Sequence, residues 1–88
     1  MIERRVTVRN ALGLHARAAA RFVSLASQFA SLIQVTRGRR TVDGKSILGL
    51  LLLAAAQGTE IAIAADGADA AAAADALALL VERGFDET

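Results

Sequence analysis

The chain has no cysteine, no proline, no tryptophan and no tyrosine, and only three phenylalanines among its 88 residues. Without cysteine there can be no disulfide and no thiolate metal ligand, which agrees with a reducing compartment. Histidine is nearly absent as well: His15 is the only one, so a structural zinc site has too few imidazoles and no metal is expected. Long apolar runs are missing too. The longest, Ile47 to Ala56, covers ten residues where a membrane helix needs about twenty. No series of basic, apolar and small residues opens the chain, so no signal peptide is expected and a cytoplasmic location is.

A length of 88 residues fits one domain spanning 1–88, with one modest core and no room for separate catalytic and substrate domains. The formal charge of +1 hides a strong polarity, because residues 1–45 carry a net +7 and residues 46–88 a net −6. The basic half should attract anions such as phosphate, nucleic acid or the acidic face of another protein.

Ile2, Val6 and Val8 alternate with polar neighbours, broken only by Arg4, which predicts a half-buried strand, and Asn10 to Gly13 supply turn chemistry after it. From Ala16 to about Gln28 a stripe of Ala16, Ala19, Ala20, Phe22, Val23 and Ala26 opposes Arg17, Arg21, Ser24 and Gln28, the pattern of an amphipathic helix. Leu32–Arg37, with Ile33 and Val35 inward, and Arg40–Val42 form a hairpin around Gly38. Ser46 reads as the N-cap of a second helix through the apolar run, and a short helix on a sheet should leave some of Ile47, Leu48, Leu51 and Leu52 exposed. Ile61 and Ile63 mark a fourth strand, and Asp69 is the expected cap of a third helix with Ala73, Ala74, Leu77, Leu80 and Val81 inward. Gly84 suits its C-terminal end, and Phe85 to Thr88 are expected to fray. The order βαββαβα predicts an α+β open-faced sandwich, a four-stranded and mainly antiparallel sheet with three helices on one face.

Chemistry concentrates at Gly13-Leu14-His15-Ala16-Arg17, where an extended segment meets the first helix. The leading N–H groups of a helix lack backbone partners and the dipole adds positive charge there, so an anion is stabilised. Arg17 contributes a guanidinium suited to phosphate oxygens, and His15 an imidazole that is largely unprotonated, and so nucleophilic, near neutral pH. Together they suit a site that receives a phosphoryl group and holds it as phosphohistidine, although a lone histidine at a helix start also fits a surface residue or a weak cap. Gly44-Lys45-Ser46 is not the end of a nucleotide-binding P-loop, because Arg39 stands where that motif requires glycine. Arg37, Arg39 and Arg40 could form a nucleic-acid patch, but no aromatic residue is interleaved with them to stack on bases.

Two segments in register, Gly13-Leu14-His15-Ala16-Arg17 followed by Ala19, and Lys45-Ser46-Ile47-Leu48-Gly49-Leu50, resemble the active-site and regulatory-serine segments of the HPr family, the histidine phosphocarriers of the bacterial sugar phosphotransferase system. The resemblance runs from Ile2 to the last helix. It implies that Nδ1 of His15 accepts a phosphoryl group from enzyme I, itself charged by phosphoenolpyruvate, and passes it to enzyme IIA domains. By the same resemblance Arg17 and the N–H groups of Ala16 and Arg17 hold the phosphoryl oxygens, and an HPr kinase/phosphorylase can modify Ser46. Ile47, Leu48 and Leu51, with Arg21, would form the partner interface. The implied protein is a monomeric carrier without turnover of its own and without a cofactor. Ala18 departs from the family, which usually has proline there, and restores a backbone donor near the phosphate position. Two alternatives remain: a nitrogen or regulatory paralogue using the same chemistry, and a small nucleic-acid-binding module built on Arg37, Arg39 and Arg40.

Overall fold

Alternation of apolar and polar residues makes Ile2–Thr7 a strand, β1, and the shift to a helical stripe makes Ala16–Ala26 a helix, α1. The computed structural model, which describes residues 1–87, continues with β2 (Leu32–Arg37), β3 (Arg40–Asp43), α2 (Ile47–Leu52), β4 (Glu60–Asp66) and α3 (Ala70–Glu82). A short 3₁₀ turn, Gly84–Asp86, follows. The strands lie in the order β1-β4-β2-β3, each pair of neighbours antiparallel, so the expected α+β open-faced sandwich is the observed fold.

Register explains which side of the sheet is covered. Val6 pairs with Ile61, Val35 with Ile63 and Ile33 with Ala65, and all six are buried on the helix-facing side. Glu3, Arg5, Gln34 and Glu60 point the other way and stay exposed. Arg4, the interruption in the inward series, pairs with Ile63 at the sheet edge and reaches out to Asp75 of α3, with Nε 2.9 Å from the carboxylate. The alanine-rich α3 buries Ala70, Ala73, Ala74, Leu77, Ala78, Leu80 and Val81, a close fit of small residues against β1 and β4.

Four expectations need correction. In α1 the buried residues are Ala18, Ala19, Phe22 and Ala26, while Ala16 and Ala20 are exposed and Val23 is half-buried. The buried stripe is rotated so that Ala18 and Ala19 enter the core and Ala16 and Arg17 face outward beside His15. Helix α2 stops at Leu52 although the apolar run continues to Ala56. Leu53 and Ala54 close the end with i−3 hydrogen bonds, and Ala54 turns left-handed at φ 51. Asp69 occupies the cap position of α3 without capping it. Its carboxylate instead accepts from the N–H groups of Ala30 (2.8 Å) and Ser31 (3.0 Å) and from the Ser31 hydroxyl, fastening the α1–β2 loop to the start of α3. That hydroxyl bond first, and the Ala30 amide next, hold the Asp69 carboxyl below its ordinary value.

The fourth correction concerns the chain end. Phe85 is fully buried, so Phe85 to Glu87 do not fray; Thr88, included in the same expectation, lies outside the described residues. Gly84 (φ 66) does reverse the chain after α3, but Phe85 (φ 57) and Asp86 (φ 60) continue in the left-handed region, which is costly for side-chain-bearing residues. Burial of the Phe85 ring holds this turn together with Arg21 Nη1, which donates to the Phe85 carbonyl at 2.5 Å, and Arg83, whose Nε is 2.9 Å from Asp86.

The arginine hairpin also has a structural use. Arg37 donates to the carbonyl of Leu53 at 2.9 Å and Arg40 to that of Leu52 at 2.6 Å, so two of the three arginines satisfy the orphan carbonyls at the end of α2. Of the three, only Arg39 has no such task among the described residues, a poor basis for a nucleic-acid surface.

Candidate functional site

The segment before α1 is pinned from two sides. Gly13 N–H donates to the Asn10 carbonyl, closing a turn, and Leu14 N–H donates to the Ala55 carbonyl at 2.9 Å. Gly13 adopts φ 66, and a Cβ there would lie 2.6 Å from the Ala55 oxygen, so only glycine lets the chain pass this close to the end of α2. Leu14 is buried, and the next residue, His15, emerges as the N-cap of α1.

The imidazole has two distinct environments. Nδ1 accepts from the Arg17 N–H at 3.3 Å and so faces the open amides of the first helical turn. Nε2 lies 2.6 Å from the Glu87 carboxylate. The other Glu87 oxygen accepts from Asn10 Nδ2 at 2.5 Å, and Asn10 is held in turn by a 2.7 Å bond to the Gly13 carbonyl. The bond from His15, followed by that from Asn10 and by the charges of His15 and Arg21, keeps the Glu87 carboxyl below its ordinary value against the opposing effect of desolvation.

Arg17 is exposed beside this cluster, and with Asn10, Ala11, Leu12, Arg21, Asp86 and Glu87 it lines a cavity of about 430 Å³. Ala16 and Arg17 lie in the first turn, so their N–H groups belong to the helix's unpaired set, and Ala18 adds a third where proline would have none. Arg21 lies one turn further along α1, exposed, with Nη1 bound to the Phe85 carbonyl of the turn after α3. Asn10, Phe85 and Glu87 were not distinguishable by local pattern. The only hint was an aromatic residue just beyond a helix-ending glycine.

Ser46 is the N-cap of α2, its hydroxyl accepting from the Gly49 N–H at 3.0 Å. The next residues present an apolar surface: Leu48 is 68% exposed, and Ile47, Leu51 and Leu52 are exposed as well, while Leu50 and Leu53 anchor the helix in the core. Because α2 packs on α1, this surface belongs to the same layer as His15. Among the described residues no group of three His, Cys, Asp or Glu could hold a metal ion, and no helix is long and apolar enough to cross a membrane.

Comparison with known proteins agrees with this geometry. The family model for the phosphorylation-site component HPr of the phosphotransferase system matches residues 2–83. Phosphocarrier protein HPr of Neisseria meningitidis serogroup A is 48% identical over 99% of this chain and 98% of its own length. Phosphocarrier protein NPr of Shewanella violacea is 45% identical over 98% and 94%. The crystal structure of HPr-C-His from Thermoanaerobacter tengcongensis superposes with a TM-score of 0.95 at 41% identity, covering 100% of this chain and 99% of that one. A histidine whose Nδ1 faces free helix amides, on a sandwich that superposes this closely and in a sequence matched almost end to end, places the chain in the HPr family of phosphocarrier proteins of the phosphotransferase system.

Proposed function

We propose that this chain, acting as one cytoplasmic and monomeric domain, takes a phosphoryl group from enzyme I onto Nδ1 of His15 and delivers it to enzyme IIA domains. The orientation of Nδ1 carries this reading: its lone pair faces the Arg17 amide at the start of α1, where arriving phosphoryl oxygens meet unpaired N–H groups and the positive end of the helix. Nδ1 forms the new P–N bond as the bond to the donor breaks, and reversal of the same step on the next protein returns the chain to its starting state. It is a stoichiometric relay. The Arg17 guanidinium offsets charge on the phosphoryl oxygens, preorganised electrostatics in small form.

Docking rests on Ile47, Leu48 and Leu51 for apolar contact, and on the basic first half of the chain, with Arg21, for steering acidic partners. A kinase that phosphorylated Ser46 would place a near-dianion beside this surface while keeping it at a helix N-terminus, where it is tolerated. The 45% identity to an NPr supports, as a second reading, a regulatory branch that uses the same phosphohistidine chemistry.

Incubation with enzyme I, magnesium and phosphoenolpyruvate tests the proposal. Intact mass should rise by one phosphoryl group, acid-labile and mapped to His15, and His15→Ala should abolish uptake without loss of fold. Persistent labelling of the His15→Ala protein would overturn the assignment.

A further inference from the structure

The contacts around Nε2 form a chain of donors and acceptors that dictates which imidazole nitrogen is free to react. Asn10 is almost fully buried, and both of its amide hydrogens are engaged, one by the Gly13 carbonyl at 2.7 Å and one by Glu87 at 2.5 Å. Turning the amide over would set its oxygen against two acceptors, so its orientation is fixed by chemistry. Its Oδ1 has no partner among the described residues, a cost that the fold tolerates to keep Nδ2 aimed at Glu87. With one oxygen taken by Asn10, Glu87 offers the other to Nε2 at 2.6 Å. A carboxylate can only accept, so the proton of the neutral imidazole resides on Nε2 and the lone pair on Nδ1. The turn that delivers Glu87 is itself strained, with Phe85 and Asp86 both left-handed and Arg21 bound to the Phe85 carbonyl. Strain held by several independent contacts beside a reactive group is the pattern of a functional constraint.

We infer that Asn10 and Glu87 act as one positioning clasp, joining the start of the chain to its end, that locks His15 in the Nε2–H tautomer and so selects Nδ1 as the phosphoryl acceptor. The inference rests on His15 being the phosphorylated residue. Neither member touches the transferred group; both act through the imidazole.

The logic makes Glu87→Gln a severe change. A carboxamide has one acceptor where the clasp needs two. If its oxygen keeps the bond from Asn10, its NH₂ must face Nε2, which then has to accept, and the proton moves to Nδ1, where it displaces the long 3.3 Å bond from the Arg17 N–H and blocks attack. Removing Asn10 frees the amide to turn its oxygen back to Nε2. The test uses the full chain and phosphoramidate, a small donor that phosphorylates histidine without enzyme I, with imidazole ¹⁵N shifts reporting the tautomer and ³¹P spectra the site and rate of attachment.

Wild type should show Nε2–H and a product on Nδ1. Glu87→Gln should populate the Nδ1–H tautomer and lose at least about tenfold in rate, as wrong-tautomer and outer-shell variants elsewhere do. The double variant Asn10→Ala/Glu87→Gln should recover the wild-type tautomer and much of the rate, which a purely structural role would not produce. Wild-type shifts and rate in Glu87→Gln, or no recovery in the double variant, would overturn the clasp. Should Glu87→Gln not fold, Glu87→Ala decides by the same shifts: Nδ1–H tautomer above the wild-type level supports the clasp and unchanged shifts refute it. A wild-type protein that takes phosphate from neither donor would instead refute the carrier reading itself.

Discussion

His15 and Glu87 stand 72 residues apart in sequence and 2.6 Å apart in space. Local pattern suffices to single out His15 and Arg17, because a histidine, a helix start and an arginine two residues on are all visible within one segment. Nothing local marks Glu87 or Asn10, whose roles exist only through contacts across the fold. The lowered carboxyl value of Glu87 leads to a stability prediction whose sign follows from linkage. A carboxylate with a folded-state pKa below its unfolded one stabilises the protein above the unfolded value, here about 4.5, and loses that contribution as pH falls through the lower folded value. The stability difference between wild type and Glu87→Ala, measured by chemical denaturation, should therefore shrink as the solution is taken from just above to well below about pH 4.5. A difference that grew below about pH 4.5 would contradict the ionised clasp.

Helix α2 shows how an element can be legible in kind and not in extent. Ser46 announces its start, and the Gly49 N–H bond to its hydroxyl bears that out. Its end is invisible in the run Leu50 to Ala56, because no glycine or polar residue interrupts it. The end is imposed from outside, by Arg37 and Arg40 on the final carbonyls and by the passage of Gly13 against Ala55. Ala54 absorbs the reversal at φ 51 with its side chain exposed, so its Cβ adds strain and little packing. Ala54→Gly should raise stability by about 0.5–1 kcal/mol, the left-handed penalty removed less the added chain entropy, read as a shift of the denaturation midpoint without change of slope. Asp69 makes the complementary point. It is a residue of capping type in the capping position, yet the α1–β2 loop offers three donors and takes its carboxylate instead.

Considered as a whole, the molecule closes on itself through its last residues. Helix α3 lies against β1, so the turn that follows it comes beside Asn10, just after β1, and Phe85 completes the core there. A fully buried phenylalanine is worth about 3–5 kcal/mol on truncation to alanine, a large share of the stability of so small a domain. Phe85→Ala should therefore lower the midpoint of thermal unfolding by well over ten degrees, and in the fraction that stays folded it should free Glu87 from His15. A frayed tail would predict no change in either, so calorimetry with the His15 ¹⁵N shifts separates the two descriptions. The charge polarity belongs to this level as well. Several of the basic side chains that give the first half its net +7 bind within the fold, Arg4 to Asp75, Arg21 to Phe85, Arg37 and Arg40 to the end of α2, and Lys45 to the Phe29 carbonyl, whereas Arg17 beside His15 has no such partner among the described residues.

The sequence by itself determined the element order, the inward faces of the strands and of α3, the capped start of α2, and the one segment able to offer a nucleophile at a helix entrance. These follow from periodicity and from side-chain chemistry within a few residues, where neighbours along the chain are also neighbours in space. Tertiary structure alone decided where α2 stops, what Asp69 and the hairpin arginines bind, and that the chain end returns to hold His15. Each of those outcomes is a competition among hydrogen-bond partners far apart in sequence, and the contest is settled only when packing of the core brings the competitors together.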